Sequence, residues 1–191
     1  MAPPLVYRRF DKLTHSDTIL YEMYMLRFAA KRLVESEWKD KKDAWVYLEA
    51  FLLHYRNMIE FFGKENPREA DLHIMTIWGL EGLMPPATLN DIHTKGRALW
   101  KQYEPSDADG GGRISQYLQH CTMKRIDFKE WRIDTMVAEI DPLMRGIEPF
   151  LRGSPEFQEA VPEFVIFKQF SASTAIATIT PTVIFNRKSP G

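Results

Sequence analysis

The sequence predicts an all-α protein, a bundle of four to five helices, and three observations predict it. Apolar residues recur at steps of three and four along most of the first 151 positions, the spacing that lines one face of a helix. Threonine, serine and aspartate stand where those stripes begin, and glycine or proline where they end. The composition suits a packed core: 191 residues, 45% hydrophobic and 13% aromatic, enough for one domain.

The elements follow in order. Thr14 to Asp17 has capping-box spacing, and Ile19, Met23, Leu26, Ala30 and Leu33 follow it, predicting a helix over Ser16 to Glu35. Lys39 to Lys42 makes a polar turn, with Asp40 or Asp43 able to cap the next helix. That helix carries Leu48, Phe51, Leu52, Tyr55, Ile59 and Phe62 on one face, closed by Gly63 with Pro67 just beyond. A short helix is expected around Ala70 to Trp78, before Met84-Pro85-Pro86 breaks the chain. Thr88 to Asp91 is a second capping-box spacing, opening a helix to about Tyr103. Pro105 to Gly112 reads as a loop, and a further helix starts near Arg113. The last runs from about Ile133 to Leu151, with Pro142 either kinking it or opening a new helix at its first turn.

Residues 1–154 are therefore the bundle domain and 155–191 an irregular C-terminal tail. The tail is rich in β-branched and aromatic residues, as in Ala175 to Phe185. Two outcomes fit it: a small two-stranded hairpin resting on the bundle, or a poorly ordered extension.

Charge and composition exclude several functions. Net charge is −1, with a balance of +3 over residues 1–42 and −4 over 133–170. No dense basic stripe exists, so any contact with RNA is local and modest. The first residues lack the apolar core of a signal peptide. The most apolar run, Ala44 to Phe62, is interrupted by Glu49, His54, Arg56, Asn57 and Glu60, so no membrane span is expected. A lone cysteine, Cys121, fits a reducing, cytoplasmic setting. No cofactor is expected.

Two metal readings are weak. From Asp107, an EF-hand pattern matches at Asp109, Gly112, Ile114 and Ser115, but Gly111 and Leu118 stand where two oxygen ligands are needed. The five histidines, His15, His54, His73, His93 and His120, have none of the close spacings of a zinc or di-iron site, so no metal is expected. Cys121 falls on an apolar stripe with Ile114, Tyr117 and Leu118, which suits a buried thiol better than a nucleophile.

The helix starting at Arg113 carries the sharpest candidate chemistry. Arg113 and His120 fall about 20° apart around its axis and roughly 10 Å apart along it. An arginine there can hold a phosphodiester while a histidine moves a proton, with no metal required. Two blocks then carry a family resemblance: LLHYRNMIEFF over Leu52 to Phe62, and ISQYLQHCTMKR over Ile114 to Arg125, followed by Trp131. Both resemble blocks in bacterial helical proteins related to the HEPN superfamily, and the chain from about Tyr21 to Leu151 is compatible with them. The resemblance implies a HEPN-like bundle that pairs into a homodimer. It also implies the R-x(4–6)-H motif of metal-independent ribonucleases, with Arg113 and His120 as its residues and RNA as substrate. The motif usually has a polar residue after the arginine, and here that residue is Ile114.

A second set of polar residues lies on the borders of apolar stripes. Arg125 falls near the centre of its stripe and needs an anionic partner, with Glu49 and Glu60 as candidates. His54, Arg56 and Asn57 can reach a neighbouring helix. With His120, Thr122 and Arg125, His54 and Asn57 form either a buried structural network or a small anion pocket, and the network is favoured. The expected function is a non-catalytic interaction module. The alternatives are the ribonuclease and a small anion- or ligand-binding bundle.

Overall fold

The computed structural model describes residues 15–35, 40–81, 84–105, 113–118 and 130–151. Among these the chain is all-α, with no strand: α1 (His15–Glu35), α2 (Lys41–Gly63), α3 (Ile74–Glu81), α4 (Pro86–Tyr103), α5 (Ile114–Leu118) and α6 (Ile133–Ile147), closed by a 3-10 turn at Glu148–Phe150. The glycine loop after Pro105, the residues His120, Cys121, Thr122 and Arg125, and the tail from 155 lie outside the described residues. The described residues thus form the all-α bundle that the sequence predicts, with the two short segments, α3 and α5, as separate helices.

α2 is the hub. α1, α3, α4 and α5 all pack on it, while α6 closes the bundle against α4 and α1. Its stripe explains why: Phe51, Tyr55, Met58, Ile59 and Phe62 are solvent-free, and each such side chain contributes about 1.5–3 kcal/mol of burial. α1 answers with Ile19, Met23, Leu26, Ala30 and Leu33, all buried. Asp40 caps α2 by accepting the Lys42 N–H at 2.9 Å.

The crossing of α2 and α4 is a backbone contact. A Cβ on Gly63 would lie 2.1 Å from the Gly96 carbonyl carbon, and one on Gly96 would lie 2.5 Å from Phe62 Cβ. Only residues without a side chain let the helices meet this closely. The approach brings His93 of α4 to the end of α2, where its Nδ1–H donates to the Phe62 carbonyl at 2.9 Å. That carbonyl is one of the last four of the helix, which have no partner inside it.

Three boundaries differ from the sequence expectation. α3 begins at Ile74 rather than near Ala70, because Arg68 to Asp71 forms a turn with Asp71 N–H donating to the Arg68 carbonyl at 2.9 Å. α4 begins at Pro86, ahead of the Thr88 capping box, and Pro85 makes no side-chain cap. A proline in the first turn lacks only an N–H that would have been unpaired anyway. α6 runs through Pro142 without a new start. The carbonyl that Pro142 fails to bond, on Ala138, lies on an exposed stretch of the helix where water can reach it.

Candidate functional site

Polar side chains at the rim of α2 divide into two groups that face different neighbours. On the α1 side, Glu22 accepts from His54 Nδ1 at 2.7 Å and from Asn57 Nδ2 at 3.0 Å. His54 is buried and meets the Tyr21 ring edge-on at 5.8 Å. A carboxylate can only accept here, so Nδ1–H is the donor and the His54 ring is held in one orientation. His54 and Asn57 thus share a partner from α1, a residue the sequence reasoning did not single out.

Arg56 points away from that pair, toward α4. Its Nη1 lies 3.1 Å from Glu60 and its Nε 3.5 Å from Glu104. Glu60 also pairs with Lys64, which reaches Asp71 at 2.7 Å. Burial alone would push the Lys64 ammonium down, but hydrogen bonds to Asp71 and Glu60 outweigh it and hold the group above its ordinary value.

Glu104 is the key to this side. Its side chain is only 5% exposed, and it accepts from Ser115 N–H at 2.8 Å and Ser115 Oγ at 2.7 Å. The carboxylate thereby caps the first turn of α5 from eleven residues upstream. Both of its oxygens are engaged in anchoring the start of α5.

Arg113 sits just ahead of α5 and is half-buried. Its Nε donates to the Pro105 carbonyl, and its backbone N–H reaches Gln116 Oε1 at 3.4 Å. The guanidinium therefore ties the end of the α4 segment to the start of α5, across the glycine-rich stretch between them. The Arg113 that sequence reasoning set beside His120 is thus placed; His120, Thr122 and Arg125 lie outside the described residues. Glu60, a candidate partner for Arg125, is engaged by Arg56 and Lys64, and Glu49 is exposed.

A third cluster joins α2, α4 and α6. The Tyr103 hydroxyl donates to Glu139 at 2.6 Å, and the Tyr55 and Tyr103 rings meet edge-on at 5.1 Å. Burial pushes both phenols well above their ordinary values, with Tyr103 and Glu139 adding to the effect at Tyr55 and Glu139 adding to it at Tyr103. Arg27 makes a fourth tie, gripping Glu148 through two nitrogens at 3.2 and 3.1 Å and touching Asp141 at 3.3 Å.

The outward face of α2 is different in character. Trp45 is 51% exposed, Val46 63% and Leu53 40%. Lys42 and Glu49, both exposed, lie on the same face on either side of Trp45 and Val46. Among the described residues, no group of three or more histidine, cysteine or acidic side chains is arranged to hold a metal ion, and no helix is long and apolar enough to cross a membrane. Compared with family models, curated proteins and solved structures, the chain shows no significant match.

Proposed function

We propose that this chain is a HEPN-like, cytoplasmic, non-catalytic interaction module, and that its partner is a second copy of itself. The observation that carries the reading is the outward face of α2. Lys42 and Glu49 are seven residues apart, about two helical turns, and about 20° apart around the axis. The midpoint between them is the Trp45–Val46 pair. A two-fold axis through that midpoint sets α2 against α2 of the second copy in antiparallel sense. Lys42 then faces Glu49 of the other copy on both sides, and the exposed Trp45 and Val46 cover each other in the middle. The apolar centre supplies the energy, and the rim charges, worth at most about 1 kcal/mol each, set the register.

The polar residues support the same reading by what they are already doing. His54, Asn57, Arg56 and Glu104 hold helices together, and Arg113 is committed to the Pro105 carbonyl. The runner-up, a metal-independent ribonuclease acting through Arg113 and His120, needs Arg113 turned toward a phosphodiester instead. The small anion pocket of His54, Asn57, His120, Thr122 and Arg125 needs His54 and Asn57 turned toward an anion, whereas both donate to Glu22.

Light scattering across a concentration series tests the pairing. The wild type is expected to rise from 22.3 kDa toward twice that mass. Val46→Asp, at a position 63% exposed, is expected to stay monomeric and to match the wild-type melting temperature at concentrations where the wild type is itself monomeric. A wild type that holds the monomer mass throughout would remove the proposal.

A further inference from the structure

His73 stands immediately before α3, and it does there what serine or aspartate usually does. Its Nδ1 accepts the N–H of Met75, in the first turn of the helix, at 3.3 Å. Its carbonyl accepts from the N–H of Thr76 at 3.1 Å and of Ile77 at 3.0 Å, and from Thr76 Oγ1 at 2.9 Å. The side chain is buried. An imidazole that accepts through Nδ1 must be neutral, with its proton on Nε2.

We propose that His73 is a proton-sensitive helix cap, and that acidification releases the first turn of α3 from the end of α2. Adding the second proton converts the Nδ1 acceptor into a donor that faces the Met75 N–H, so the cap is lost. The new positive charge also sits at the positive end of the helix dipole. The surroundings add to this. His93 from α4 meets the His73 ring edge-on at 5.3 Å, with its own Nδ1–H fixed on the Phe62 carbonyl. The Lys64 ammonium opposes a second charge as well, while among the described residues the Lys64 backbone and the Asp71 carboxylate favour it.

Burial, followed by His93, holds the His73 imidazole below its ordinary value of 6.5. A depressed histidine fixes the direction: the unfolded or released segment takes up the proton first. The cap is complete above about pH 6.5 and is lost as pH falls through the lower folded-state value. This inference stands apart from the pairing of copies, because α3 takes no part in the outward face of α2.

Nuclear magnetic resonance on the full chain tests it through two readouts. Imidazole nitrogen shifts of His73 at pH 7.5 are expected to report a neutral ring with the proton on Nε2. As pH falls, the helical shifts of Met75 to Ile77 should move with the titration of His73. Their amide exchange, corrected for its intrinsic pH dependence, should rise about five-fold, the loss of one cap. His73→Asn, a cap that does not titrate, is expected to remove the step and keep α3 in place. His93→Gln, which keeps a donor for the Phe62 carbonyl and removes the neighbouring imidazole that opposes the charged His73, should raise the midpoint. A proton on Nδ1 at neutral pH, an α3 unmoved while His73 titrates, or the same step in His73→Asn would each overturn the proposal.

Discussion

Replacing Gly96 by alanine should destabilise the fold, although helix propensity alone says the opposite. Inside α4 the change removes the entropic cost of glycine, a gain of about 1 kcal/mol. Against it stands the crossing with α2. The new methyl would lie 2.5 Å from Phe62 Cβ and 2.7 Å from the Phe62 carbonyl carbon and oxygen. Carbon atoms prefer about 3.5–4.0 Å, so the helices must separate by an ångström or more. Phe62 is solvent-free and cannot retreat, and overpacking of this kind costs about 1–3 kcal/mol. Separation also stretches the His93 to Phe62 hydrogen bond, worth about 1 kcal/mol. The net expectation is a loss of about 2 kcal/mol. Urea unfolding measures it, and in a domain of this size the melting temperature should drop by about 4–8 °C. Ala98→Gly, at an exposed position of the same helix, calibrates the propensity term. If Gly96→Ala instead stabilises by about 1 kcal/mol, the close crossing is refuted.

Other outcomes follow from the polar ties. Glu104→Ala removes the acceptor for two Ser115 hydrogen bonds and one of the two carboxylates paired with Arg56, so chemical denaturation should show a loss of about 3 kcal/mol. Lys95→Ala, which breaks an exposed pair with Asp91 on α4, should change stability by no more than about 0.5 kcal/mol in the same experiment. Single-stranded RNA incubated with the protein in EDTA should stay intact. Cleavage that vanishes in both Arg113→Ala and His120→Ala, with melting temperatures unchanged, would instead establish the ribonuclease.

The sequence made some of this legible and hid the rest for identifiable reasons. The stripes of α1 and α2 are visible because burial of Met23, Leu26, Phe51 and Ile59 depends only on spacing along one helix. The start of α3 was missed because its cap is a histidine, a residue that caps only through a neutral ring. Pro85-Pro86 reads as a break, yet Pro86 opens α4, since the same fixed backbone angle that ends one helix suits the first turn of the next. The polar ties were harder still. Periodicity put His54, Arg56 and Asn57 at the rim of α2, but it does not say which helix each rim faces. Glu22 lies 32 residues from His54, and nothing local marks either as the other's partner. Glu104 looks like an ordinary charge at a helix end until the chain returns Ser115 to it. The Gly63 and Gly96 crossing is equally silent, because a glycine in a helix signals a close approach without naming what approaches.

The pairing of two copies through α2 is tested most directly by reversing its charges and then restoring them. Lys42→Glu and Glu49→Lys should each leave the protein monomeric by light scattering at a concentration where the wild type is dimeric. Each places like charges opposite one another across the two-fold axis. The double variant, Lys42→Glu with Glu49→Lys, exchanges the signs and should regain the dimer mass. A double variant that stays monomeric, or single variants that dimerise as well as the wild type, would contradict the account.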